Sequence, residues 1–215
     1  MISRILYLFF WSVSLIVLKV LCSLETFNAE NVPQAGSLIL ACNHVSYLDP
    51  PAVGVSARRK DIFYLARTSL FKNKFIGWIF LNLNCIPVKQ DAQDFEAIRS
   101  AVKKLKSGKA LLIFPEGTRS VDGDLKSPQA GVGFMAYNAG APIVPVYIKG
   151  SEKAMPRGSR SIKSGHKIEV FIGQKIDYYI NGAKGKATKE YYIAITKKVM
   201  DEIALLKKNS EINNS

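Results

Sequence analysis

Residues Asn43 to Pro50 read NHVSYLDP, which places a histidine five residues ahead of an aspartate. Histidine suits proton transfer near neutral pH, and a carboxylate on Nδ1 would fix its tautomer with Nε2 free to act as base. On a straight α-helix, positions five apart point about 140° away from one another, so one helical face cannot present both. A turn can. The same residues also read as a helix start, with Asp49 as N-cap and Pro50 at the first helical position. The two readings are compatible, because one carboxylate oxygen can cap a helix while the other meets His44. No G-x-S-x-G segment occurs, so a covalent serine route lacks an evident nucleophile. Direct attack by a bound alcohol on an acyl carbonyl fits His44 better.

A second polar cluster, FPEGTRS, occupies Phe114 to Ser120. Gly117 permits positive φ and close backbone approach to a ligand. Arg119 can grip a phosphate with two parallel hydrogen bonds, and Thr118 or backbone amides add donors. The competing reading is a plain β-turn in which Glu116 and Arg119 form a structural pair. Farther on, residues 149–167 carry Lys149, Lys153, Arg157, Arg160, Lys163 and Lys167 against the single acid Glu152. That segment is suited to anionic headgroups or to the phosphates of an acyl carrier, and reads equally as a solvated basic loop. It holds no aromatic residue, so base stacking has no support and nucleic acid is not an expected partner.

These clusters need elements to hold them. Apolar runs at 37–42, 61–66, 85–88, 110–114, 142–148 and 167–173 read as strands. Phe95, Ile98, Val102 and Leu105 fall on helical spacing, with Gly108 at the C-terminal cap; QAGVGFMAYNAG forms another helical stretch. A final amphipathic helix is expected over 186–208, followed by a polar tail at 209–215. Alternating strands and helices predict an α/β layer fold with a mainly parallel central sheet. His44 directly follows one apolar run and FPEGTRS another, so both clusters are expected just past the carboxyl ends of strands.

The first residues differ in kind. Ile5 to Leu18 is a run of fourteen residues without a formal charge, and Ile5 to Leu24 as a helix would be about 30 Å long, close to the hydrocarbon thickness of a bilayer. A cleaved signal peptide fits poorly, because Lys19 sits where small residues should precede the cleavage site. A membrane anchor, spanning or confined to one leaflet, and a buried soluble helix both stay open. The expected organisation is therefore a membrane-associated helix over 1–24, a catalytic domain over 25–208 and the tail. Net charge is +13, with a pI near 9.6, which suits anionic partners such as lipid surfaces or phosphate-bearing substrates. Three cysteines without C-x-x-C spacing and only two histidines predict neither a disulfide framework nor a metal site.

Taken together, the motifs resemble the glycerolipid acyltransferase family typified by 1-acylglycerol-3-phosphate O-acyltransferases. The family's N-H-x-x-x-x-D motif is matched at Asn43, His44 and Asp49, and its F-P-E-G-T-R-S motif stands complete at Phe114 to Ser120. APIVPVYI is similar to its V-P-V strand, with Pro145 at the usual proline, and Gly131 stands at the family's glycine before it. The second motif departs: NCIPVKQD keeps the apolar core but has Gln90 where the family usually carries arginine, and the adjacent Lys89 is the candidate cation. The similarity spans about Phe27 to Ile176.

The resemblance implies acyl transfer from a coenzyme A or acyl-carrier-protein thioester to lysophosphatidate, giving phosphatidic acid in phospholipid synthesis. His44 would be general base and Asp49 its orienting partner. Asn43, Lys89, Glu116, Gly117, Thr118 and Arg119 would contact substrate, with no metal and no cofactor beyond the thioester co-substrate. It further implies membrane association, with the catalytic domain on the cytoplasmic face of the cell membrane.

Overall fold

The computed structural model describes residues 2–89, 94–120, 123–159, 161–177 and 188–212, with side chains from residue 5 onward. Gln90 and Arg160 lie outside the described residues. Seven strands form one sheet: β1 (Glu25–Phe27), β2 (Leu38–Cys42), β3 (Ile62–Arg67), β4 (Cys85–Val88), β5 (Ala110–Ile113), β6 (Ile143–Lys149) and β7 (Glu169–Ile172), in the order β1-β7-β6-β2-β5-β3-β4. All neighbours run parallel except β6 and β7, with Val146 opposite Ile172 and Lys149 opposite Glu169. The expected α/β fold with a mainly parallel sheet is what the chain adopts. Five of the strands, β6, β2, β5, β3 and β4, therefore end on one edge of the sheet.

The central strands read as unbroken apolar runs because both of their faces are covered. Along β2, Leu38, Leu40 and Cys42 pack on one face with Leu18, Cys22 and Val53, while Ile39 and Ala41 pack on the other with Leu105, Met135 and Val199. The first face carries α1 (Ile2–Cys22) and α2 (Asp49–Ser56), with α3 (Lys74–Asn82) beside α1. The second carries α4 (Phe95–Lys106), α5 (Gly131–Ala139) and α7 (Lys189–Ile212). A short helix, α6 (Ser151–Ala154), follows β6.

The six strands read from sequence sit within a residue or two of their expected positions. β1 was not anticipated: three residues give no periodicity, and it exists only because β7 offers a partner. Nor was α3, whose residues are apolar on every side and so lack the helical alternation that marks α4. Gly108 follows the C-cap Ser107 of α4 with φ 77°, as expected of a helix-terminating glycine. The last helix continues to Ile212 rather than stopping at 208, and Ser210 in that extension is fully buried.

One expectation about α2 needs correction. Leu48, not Asp49, is the N-cap, and Asp49 is the first helical residue. From an N-cap at Asp49 the amides in reach would be those of Pro51, which has no N–H, and Ala52, whose N–H already donates to Leu48 O at 2.9 Å. The Asp49 carboxylate is thereby released from capping and turns back towards the loop before it.

Candidate active site

After Cys42 the chain leaves β2 in a turn, and Asp49 organises that turn. Its Oδ2 accepts the backbone N–H groups of Val45 and Ser46, each at 2.7 Å, and lies 2.7 Å from Nδ1 of His44. Its Oδ1 accepts the hydroxyl of Ser151 at 2.5 Å. Asp49 is fully buried, and four donors are what make a buried carboxylate tolerable. An ionised carboxylate can only accept, so Nδ1 carries the proton and Nε2 is the ring nitrogen open to a substrate.

The imidazole lies stacked on Phe114, ring centroids 3.9 Å apart, with 18% of its side chain exposed. The main chain of His44 fastens the two motifs together. Its N–H donates to Glu116 Oε1 at 3.2 Å, and its carbonyl accepts Ser120 N–H at 2.7 Å. Residues about seventy apart in sequence thus close one loop pair at the carboxyl ends of the adjacent strands β2 and β5.

Within the second motif, Gly117 N–H closes a turn onto Phe114 O at 3.0 Å, and Gly117 has φ 71°. A Cβ there would lie 2.7 Å from Nε2 at the end of the flexible Gln129 side chain, which can shift, so it is the positive φ that calls for glycine. Glu116 is buried, and its two oxygens accept the amides of His44 and Lys126. Burial pushes its carboxyl up, opposed by those two amides. The geometry makes Glu116 a positioning residue for the His44 loop, with both carboxylate oxygens committed to backbone amides inside the protein.

Arg119 stacks its guanidinium on the ring of Tyr47 at 3.7 Å, and its Nη1 is buried with no hydrogen-bond partner among the described residues. An unpartnered charged donor beside His44 is ready for an anion. Gly117 and Thr118 are exposed at the same loop.

Asn43, expected to contact substrate, is turned into the protein. Its amide donates to Ile148 O at 2.9 Å and its Oδ1 accepts Ile148 N–H at 2.8 Å. It is 2% exposed, and the pair of bonds clips the end of β2 to β6 beyond their regular ladder. Lys89 is exposed at the carboxyl end of β4, on the same edge as His44 but three strands away, roughly 14 Å at the usual strand spacing. Its backbone N–H donates to Asp94.

Of the basic segment, Lys149 pairs with Glu169, and Lys167 bridges Glu25 and Glu169. Lys153, Arg157 and Lys163 are exposed. Cys42, next to the site, is no alternative nucleophile, since burial holds its thiol well above the ordinary range.

Sequence reasoning missed Ser151 and the platforms under His44 and Arg119. Ser151 lies 102 positions from Asp49 in sequence, and only the β6–α6 junction brings it near. That junction is Gly150, with φ 84° and no room for a Cβ, which would lie 2.0 Å from Lys167 O.

The chain is thus an α/β protein whose mainly parallel sheet presents, at one edge, a carboxylate-held histidine and an arginine whose Nη1 has no hydrogen-bond partner among the described residues. A family model described as Acyltransferase matches residues 23–149, and the chain belongs to that acyltransferase family. The 1-acyl-sn-glycerol-3-phosphate acyltransferase of Bacillus subtilis (strain 168) is 33% identical over 164 residues, covering 74% of this chain and 78% of that protein. A chloroplastic 1-acyl-sn-glycerol-3-phosphate acyltransferase of Arabidopsis thaliana is 30% identical over 165 residues, 73% of this chain. The chain spans about half the length of the chloroplastic relatives it matches, 46% and 47%. Among solved structures, the 1-acyl-sn-glycerophosphate acyltransferase PlsC from Thermotoga maritima superposes with a TM-score of 0.68 at 26% identity. The match covers 87% of this chain and 72% of that one.

Proposed function

We propose that this protein transfers a fatty acyl group from a coenzyme A or acyl-carrier-protein thioester to the free hydroxyl of 1-acyl-sn-glycerol 3-phosphate. The product is phosphatidic acid. The observation that carries the reading is the His44 Nδ1 contact to Asp49 Oδ2 at 2.7 Å, with Asp49 itself held by three further donors. The names of the relatives supply the acceptor class.

In the proposed reaction Nε2 of His44 takes the hydroxyl proton as the alcohol oxygen attacks the thioester carbonyl. A positioned base of this kind contributes typically about 10²- to 10⁴-fold. The buried Asp49 carboxylate stabilises the imidazolium that forms. The tetrahedral intermediate collapses by breaking its C–S bond, and the leaving thiolate takes the proton back from His44. No metal or bound cofactor is called for, since a thioester arrives already activated. Arg119, on its Tyr47 platform, would hold the acceptor phosphate, with Thr118 and the Gly117 backbone beside it. The protein would work at a membrane surface, with its catalytic domain on the cytoplasmic face.

Lys89 stands beside Gln90, where the family resemblance leads one to expect arginine, and this favours a second reading in which the acceptor is another lysolipid or glycerol 3-phosphate. The test is an incubation of purified protein with labelled acyl-thioester and each acceptor in turn. Diacyl product from lysophosphatidate, abolished in His44→Ala while the variant stays folded, is the expected result. Wild-type turnover by that variant would sink the mechanism, and product from a zwitterionic lysolipid alone would move the acceptor assignment.

A further inference from the structure

The helix α3 is apolar all round yet almost unburied. Of its nine residues only Gly77 is buried, while Phe75, Ile76, Trp78 and Leu81 are 69%, 45%, 47% and 57% exposed. A helix hydrophobic on every side belongs either in a core or in lipid, and this one is not in a core. It touches α1, whose own outward face is an apolar stripe. Ile5, Phe9, Val13, Ile16 and Val20 recur at intervals of three or four residues, and all are exposed.

The opposite face of α1 is docked on the protein. Tyr7, Leu18 and Cys22 are buried, Trp11 donates to Gly54 O, and the carbonyls of Leu21 and Cys22 accept the amides of Gly165 and Ile168. That docking runs from Tyr7 to Cys22, a length of about 22 Å. Ile5–Cys22 is long and apolar enough to cross a bilayer, with a mean hydropathy of 2.3. A crossing, however, would drag the α2 end, with Arg58, Arg59 and Lys60, into hydrocarbon about 30 Å thick. Lys60 sits 2.6 Å over the Trp11 ring, so the two cannot be parted without undocking the helix.

Charge names the kind of lipid. No acidic residue occurs between Asp61 and Asp91, whereas Arg67, Lys72 and Lys74 are exposed around the start of α3. Cations at a helix N-terminus oppose the helix dipole, so their placement does not serve α3 itself. It serves an external anion, at the catalytic edge where β3 ends.

We propose that α3 is a second membrane-inserting element, which enters the same leaflet as the outward face of α1 and whose lysines rest on anionic phospholipid headgroups. The chain is then held in one leaflet and does not span the bilayer. The inference rests on no step of acyl transfer and holds whichever acceptor is used.

The chain has two tryptophans, Trp11 and Trp78, so Trp11→Phe in the full-length protein makes Trp78 the sole reporter. Vesicles of phosphatidylcholine with or without phosphatidylglycerol, brominated at shallow or deep acyl positions, supply the probe. The expected result is a blue shift of Trp78 emission, quenching stronger with shallow than deep bromines, and tighter binding to the anionic vesicles. Emission that stays as in water, or equal quenching by deep bromines, overturns single-leaflet insertion. Binding no tighter to anionic vesicles overturns the headgroup assignment. A blue shift that instead appears with protein concentration in the absence of vesicles means a second copy covers α3, and it too overturns the proposal. A triple variant, Phe75→Ser, Trp78→Ser and Leu81→Ser in the wild-type background, touches only exposed positions. It should sediment with anionic vesicles at least about tenfold more weakly, and undiminished sedimentation counts against α3.

Discussion

At the scale of single residues, the proposed reaction separates groups that would meet substrate from groups that hold those groups still. Arg119 and Glu116 stand three positions apart in one motif but fall on opposite sides of that division. Arg119→Ala removes a buried donor that has no hydrogen-bond partner among the described residues, so steady-state kinetics should show KM for the phosphate-bearing acceptor rising at least about tenfold with kcat less affected. Glu116→Ala leaves two backbone amides unpaired inside the protein. It should cost about 1–3 kcal/mol in a urea unfolding titration and lower kcat more than it raises KM. A KM effect alone in Glu116→Ala would return that residue to the substrate. Ser151→Ala strips one of four donors from a buried carboxylate. The expected outcome is kcat down about tenfold with KM within about twofold, because His44 loses its fixed orientation and the binding groups do not change.

At the scale of elements, chemistry sits at strand ends because that is where the sheet stops satisfying its own backbone and turns can carry side chains. β2 and β5 are neighbours, so the loops after them meet, and Asn43 clips β2 to β6 on its other side. The β6–α6 junction then delivers Ser151 to Asp49. Gly150→Ala forces a Cβ to within 2.0 Å of a backbone oxygen at φ 84°. That change should lower stability by about 1–3 kcal/mol, and activity should fall at temperatures where circular dichroism still shows a folded chain. Strands and amphipathic helices of this element set were readable because burial on both faces or on one face leaves a periodic record. α3 left none, since its apolar residues fall on every side and give no alternation.

At the scale of the whole molecule, α1 belongs to the fold and is not a detachable tether. Leu18 and Cys22 sit in the same core as Leu40, Val53 and Val144. Removal of residues 1–24 uncovers that face and breaks the links from Gly165 and Ile168 to α1. The shortened chain should aggregate or lose its cooperative melting transition, seen by analytical sedimentation and circular dichroism. A soluble, sharply melting 25–215 fragment would show α1 to be an independent anchor. The excess of positive charge acts at this scale too. Lys153, Arg157 and Lys163 are exposed in the segment that follows β6 on the catalytic edge, and with Lys72 and Lys74 they dispose the molecule towards an anionic surface.

The amino-acid sequence by itself placed six of the seven strands, the amphipathic helices α4 and α7, the mainly parallel sheet and the two polar motifs that carry His44, Asp49 and Arg119. These are local facts, since spacing, residue type and the apolar character of neighbouring residues are all present in short stretches of chain. Tertiary structure alone decided that Asn43 and Glu116 face inward and that Ser151 completes the shell around Asp49. It also decided that α1 packs one face on the protein and leaves its apolar stripe exposed. Each depends on which strand lies beside which, and hence on contacts between residues from about seventy to more than a hundred positions apart. NHVSYLDP offered a base and a carboxylate at turn spacing. The packing of β2 between β5 and β6 is what turned them into a fixed pair.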